Sequence, residues 1–137
     1  MEWIELKTQK NIDNFMNSFY GFHDSCIKEC SYITGMFVDK NKKSIKQDIH
    51  SSNMKIVFES QWCNSIEIYF EGIKEINIYT YDNDKYFNNI SDAKFLIEDN
   101  LIYWANSSEW NKDNNDKEIT YVICNSAKYR NIKNGEL

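Results

Sequence analysis

From Ser65 to Tyr81, apolar and polar residues alternate on both sides of Glu71-Gly72, a period of two that predicts an antiparallel hairpin turning at that pair. Ile66, Ile68 and Phe70 share one face of the first strand, and Ile76 and Ile78 share one face of the second, so these five are the expected core side. Glu67, Tyr69, Asn77, Tyr79 and Tyr81 fall on the opposite face. Burying that second set would place Glu67 and Asn77 in apolar surroundings at a cost of several kcal/mol, which forces the tyrosines outward.

The rest of the chain supplies further elements. Ile12, Phe15, Met16 and Phe19 recur at three and four, predicting an amphipathic helix within Thr8 to Tyr20, with Thr8 or Asn11 near its start and Gly21 ending it. Asp24 to Thr34 alternates as a long strand with neither face wholly apolar, and Met36 to Val38 continues it. Asp39 to Asn53 is polar and rich in lysine, which predicts a loop with one helical turn around Ile45 and Ile49. Met54, Ile56 and Phe58 mark the inner side of another strand. Tyr81 to Asn89 is dense in Asp and Asn and is an expected turn or loop. Lys94 to Glu98 and Leu101 to Ala105 form a second hairpin through the two-residue connection Asp99-Asn100. A polar loop from Asn106 to Lys117, interrupted by Trp110, precedes a last strand from Ile119 to Asn125, after which Ala127 to Arg130 is expected to leave the sheet.

These elements add up to an α+β fold: a single twisted antiparallel sheet of about six or seven strands with the N-terminal helix packed on one face. A length of 137 residues suits one domain over 1–137. The chain contains no proline, so its sheet edges lack one common guard, and a homodimer formed through an edge strand is a possible consequence.

Charge and cysteine usage narrow the partners. The formal net charge is −5 and the lysines that cluster, Lys40, Lys42, Lys43 and Lys46, lie in a polar insertion with Asp39 and Asp48, so no nucleic-acid partner is expected and a basic protein partner fits better. No apolar run spans a bilayer and Met1 to Leu6 has neither a basic lead nor an apolar signal core, from which no membrane association and a cytoplasmic location are expected. Cys26, Cys30, Cys63 and Cys124 are expected as reduced, largely buried thiols, because the spacing of the first two is poor for zinc; no metal and no cofactor is called for.

Candidate chemistry is sparse. His23 and Asp24 adjoin at the junction of helix and first strand, where an acid-base pair would be needed for a small enzyme or ligand pocket. Neighbours on a regular strand point to opposite faces, so a structural role bonding backbone groups is the preferred expectation for both. Four glycines, at 21, 35, 72 and 135, cannot build a phosphate-cradling loop. The aromatic residues offer more: Tyr69, Tyr79 and Tyr81 beside Glu67 and Glu71, with Trp104 at a strand end, have the composition of a protein-interface hot spot.

Phe22-His23-Asp24, Phe58-Glu59-Ser60-Gln61-Trp62, Ile68-Tyr69-Phe70-Glu71-Gly72-Ile73, Ile102-Tyr103-Trp104-Ala105 and Tyr121-Val122-Ile123-Cys124 together resemble small bacterial domain families, some of which are thought to act as immunity proteins in polymorphic toxin systems. The resemblance implies stoichiometric binding of a toxin rather than turnover, and it carries over no catalytic residue. The expected function is therefore a non-catalytic cytoplasmic protein-binding module. The alternative is a small enzyme or small-molecule-binding protein with a pocket near His23 and Asp24.

Overall fold

The computed structural model describes residues 2–46, 51–80, 89–113 and 117–132. Helix α1 (Gln9–Ser18) starts at Thr8, whose Oγ1 accepts the Asn11 backbone N–H at 3.1 Å while Asn11 Oδ1 accepts the Thr8 N–H at 3.2 Å. This reciprocal cap satisfies donors that the first helical turn leaves unpaired, with Asn in the place usually held by Glu. Ile12 and Phe15 then lie buried, followed beyond the helix by Phe19 and, after one turn of 3₁₀ helix at Tyr20–Phe22, by Phe22.

The strands are β1 (Ile4–Glu5), β2 (Ser25–Ile33), β3 (Met36–Val38), β4 (Ser44–Lys46), β5 (Asn53–Ser60), β6 (Ser65–Asn77), β7 (Lys94–Glu98), β8 (Leu101–Ala105) and β9 (Tyr121–Ile132). Seven form one antiparallel sheet in the order β2-β5-β6-β9-β8-β7, with β1 pairing β9 beyond the end of β8, and β3 pairs β4 in a separate two-stranded ribbon. The α+β class with an N-terminal helix on a large antiparallel sheet is as the residue pattern predicts. Among the described residues no helix is long and apolar enough to cross a membrane.

One face of the sheet carries the main core. Met54, Ile56, Phe58, Ile66, Ile68, Phe70, Trp104, Val122 and Cys124 are all at most 2% exposed, and the aromatic face of α1 closes over them. On the opposite face the chain after β8 folds back, so that Trp110 and Ile119 cover Tyr103, Ala105, Tyr121 and Ile123 in a second, smaller cluster. Asn77 Nδ2 pins that loop by donating to the carbonyls of Lys117 at 3.1 Å and Ile119 at 2.8 Å.

The Asp99-Asn100 connection is a two-residue turn with φ of +53° and +64°, the left-handed pair that matches the twist of a tight hairpin. Glu71-Gly72, in contrast, is not a turn. β6 runs straight through it and pairs with β9 from Ser65 opposite Ile132 to Asn77 opposite Tyr121. Gly72 adopts φ +69° against Asn125, and an extra residue intervenes between Ile73 and Glu75. The core-facing set accordingly changes phase, from Ile66, Ile68 and Phe70 to Ile73 and Ile76 on β6 and from Val122 and Cys124 to Ala127 on β9. A phase change inside one strand and a turn between two strands leave the same alternation in sequence. Ile78 ends up 46% exposed rather than in the core, and 126–130 continues β9 rather than leaving the sheet. The lysine-rich segment forms the β3–β4 ribbon in place of the expected loop with a helical turn, while Ile49 and Tyr81 to Asn88 lie outside the described residues.

A methyl group at Gly72 would sit 2.5 Å from Asn125 Nδ2 and 3.0 Å from its Cβ, on a backbone conformation that already disfavours L side chains. Gly72→Ala is expected to cost about 1–3 kcal/mol from the left-handed conformation and crowding together. Urea unfolding of Gly72→Ala with and without Asn125→Gly separates the two: the second change should recover the crowding part and leave the conformational part.

Candidate functional site

The helix-to-sheet junction holds His23 and Asp24 in an unusual backbone. Tyr20, Gly21, Phe22 and Asp24 all have φ between +56° and +65°. Three are not glycine, so each is strained by roughly 1–2 kcal/mol relative to right-handed backbone. What holds them is the core and the neighbouring loop. Phe22 is 0% exposed, the Ala93 N–H donates to the Gly21 carbonyl at 3.1 Å, and the Asp24 N–H donates to the Ile90 carbonyl at 2.9 Å.

That irregularity brings together two side chains that a regular strand would separate, correcting the expectation that they diverge. His23 Nδ1–H donates to the Ser91 carbonyl at 2.7 Å, and its Nε2 lies 3.5 Å from Asp24 Oδ2, which also accepts the Trp62 indole N–H at 3.1 Å. The Ser91 carbonyl first, then the Asp24 carboxylate, raise the His23 pKa above its ordinary value. His23 bonds backbone as expected, whereas the Asp24 carboxylate bonds side chains.

The outer sheet face is divided. Its β8 end lies beneath the Trp110 loop, and the part formed by β1, β6 and β9 carries a layer of Trp3, Tyr69, Lys128 and Arg130. Lys128 Nζ stands 5.3 Å from the Trp3 ring centre and 5.2 Å from that of Tyr69, and Arg130 Cζ lies 4.6 Å from Trp3. Cross-strand register sets this up, since Tyr69 faces Lys128 and Glu67 faces Arg130. Lys128 reaches Glu71 at 3.7 Å, and Arg130 donates to Glu67 at 3.0 Å. Burial, then Glu71, raises the Tyr69 pKa, so the phenol stays neutral.

The expected binding residues thus separate. Tyr69 and Glu71 belong to the layer. Glu67 lies on the same face but is 4% exposed beneath Arg130, so it supports the layer rather than offering a free carboxylate. Trp104 is 0% exposed between Phe22 and Phe58, inside the core, because its position on β8 faces α1. Tyr79 lies past the end of β6, roughly 33 Å of extended chain from Tyr69, and its backbone N–H donates to Thr120 Oγ1 at 2.9 Å. Tyr81 is outside the described residues. Trp3 and Lys128 were not foreseen; the alternation of Trp3 and Glu5 against Ile4 and Leu6 is the signal, carried by a strand of only two residues.

Two clefts adjoin the junction. One of about 570 Å³ is polar, with Ser91, Asp92, Ser107 and Glu109 among its walls; the other, about 220 Å³, is lined by Ile27, Cys30, Ile78 and Tyr79. They meet at Ile90 and Asn106. All four cysteines are free; Cys124 is fully buried, with burial pushing its pKa up to about 12, and Cys26, Cys30 and Cys63 are half-buried. Desolvation also raises the thiol pKa of Cys26 and Cys30, which keeps them from acting as thiolate nucleophiles at neutral pH. Among the described residues no group of three or more His, Cys, Asp or Glu is placed to hold a metal ion.

No family model, curated protein or solved structure matches the chain.

Two outcomes follow from these geometries. Because the folded His23 pKa is raised, its contribution to stability is fully present below the unfolded value near 6.5 and is lost as pH rises through the folded value. His23→Gln should therefore lower the unfolding midpoint more at pH 5.5 than at pH 8.5; equal losses at both would contradict the assignment. Removing Arg130 leaves Glu67 buried without its cation, so Arg130→Met is expected to cost about 3 kcal/mol, part of which Glu67→Gln in the same chain restores. Denaturant titration of the two variants checks it.

Proposed function

We propose that this protein is a non-catalytic cytoplasmic binding module that recognises another protein, in the manner of an immunity protein holding a toxin in a stoichiometric complex. The observation that carries the reading is the Trp3–Lys128–Tyr69 layer on the outer face of β1, β6 and β9. Trp, Tyr and Arg are the residue types on which interface energy concentrates. Here they are held in place by one another, so less side-chain freedom remains to be lost on binding.

The charges in the layer are compensated internally, Glu67 by Arg130 and Glu71 by Lys128. A partner for it is therefore selected by shape and aromatic contact more than by net charge, and the basic partner expected from composition gains no support from this face. The reading of His23 and Asp24 as an enzyme or small-molecule site has less behind it, since both ring nitrogens of His23 are already engaged.

Affinity capture from the native host, followed by calorimetry with the purified captured protein, tests the proposal. Tyr69→Ala and Trp3→Ala should each weaken the complex by about 2 kcal/mol, roughly thirtyfold, with an unchanged circular-dichroism spectrum. Wild-type affinity in both variants would put the interface elsewhere.

A further inference from the structure

A second surface differs in character from the aromatic layer. Tyr32, Ile33, Met36, Phe37 and Val38, at the end of β2 and along β3, are 44%, 53%, 55%, 47% and 59% exposed. Met36 and Val38 alternate with Phe37, so both faces of the ribbon present apolar groups. Its tip is ordered: Asp39 Oδ1 accepts the backbone N–H groups of Asn41 at 2.8 Å and Lys43 at 3.0 Å, and the Asp39 N–H donates to the Lys43 carbonyl at 2.9 Å. Lys40, Lys42 and Lys43 are exposed at that tip. Four lysines against one aspartate give the segment from Met36 to Lys46 a charge of +3, in a chain of net −5, so the remainder carries −8.

The two joined clefts repeat this pattern in complement. The smaller is lined mainly by apolar side chains, with Thr80, Asn106 and Thr120 also on its walls, and the larger has Asp92, Glu109 and Glu118 on its walls. In its own chain the ribbon does not fill them, since Phe37 and the cleft residue Ile78 are both about half exposed. We infer that the β3–β4 ribbon of one copy docks in the joined clefts of a second copy, its apolar base against Ile27 and Ile78 and its lysine tip against Asp92 and Glu109. Done reciprocally, this closes a two-fold dimer with two identical contacts. A second copy is the occupant because it supplies both halves of the match, the apolar slot and the acidic rim, side by side.

Sedimentation equilibrium of the full chain tests this. Wild type should dimerise at 50 mM NaCl and weaken about tenfold or more at 500 mM, where screening shortens the reach of the lysine–carboxylate attraction. Lys40→Glu/Lys43→Glu and Asp92→Lys/Glu109→Lys, each folded by circular dichroism, should be monomeric alone. Mixed in equal amounts they should form a heterodimer, because each reversed ribbon then meets a cleft of opposite sign, as does each unaltered one. Monomeric wild type at 100 µM and low salt overturns the inference. So does dimerisation that survives either double substitution, which would point to edge pairing through β2. Ribbon-dependent binding of monomeric protein to vesicles of anionic phospholipid would assign the ribbon to a membrane surface and overturn it equally.

Discussion

Phe22 joins the parts of this fold that would otherwise be separate. Its ring lies 5.7 Å from Phe15 and 4.9 Å from Phe19, which come with the helix, 4.9 Å from Phe58 on β5 and 5.5 Å from Trp104 on β8. It does so from a left-handed backbone, φ +65°. The strain of about 1–2 kcal/mol is offset by burying the ring, worth about 1.5–3 kcal/mol, and by aromatic pairs each worth about 0.5–1.5 kcal/mol beyond area. The conformation of His23 and Asp24 is a by-product: they lie on the stretch of chain that must turn sharply to bring Phe22 inward. Their proximity is thus explained by packing, without any demand from chemistry.

The second organising feature is the pairing of β6 with β9. Its register places Tyr69 beside Lys128 and Glu67 beside Arg130, and a slip by one residue would send all four to the core face. The same slip would bring Ile68 and Phe70 out to water. Core burial therefore fixes the register, and the register builds the aromatic layer. Glu67 extends this coupling, because a carboxylate 4% exposed is tolerable only while Arg130 stays above it.

The sequence disclosed those features whose cause is local. Thr8 with Asn11, the spacing of Ile12, Phe15 and Phe19, and the Asp99-Asn100 turn each act within a few residues, and each appears where the pattern places it. Ile66, Ile68 and Phe70 were equally legible because a strand half-buried on one face must alternate. What could not be read was pairing at long range. Whether Gly72 turns the chain or bends a continuous strand depends on β9, some fifty residues further on, and nothing near Gly72 encodes that choice. Trp104 illustrates the same limit, since its inward direction follows from the pairing of β8 with β9. Trp3 was obscured by the shortness of β1, and the β3–β4 ribbon by lysines that its tip requires but that a loop would also contain.

The aromatic layer and the ribbon are governed by different physics. In the layer, each charge is already satisfied by a neighbour in the same chain, so added salt changes little; contact there gains from removing rings from water. The segment from Met36 to Lys46 carries a net charge of +3 on an acidic protein, so electrostatic contacts through it would fade as the screening length falls from about 10 Å at 0.1 M toward 3 Å at 1 M. Ionic strength thus separates the two surfaces experimentally. On the two proposals, a complex made through Trp3 and Tyr69 should persist in high salt, and one made through the lysines at the ribbon tip should dissolve.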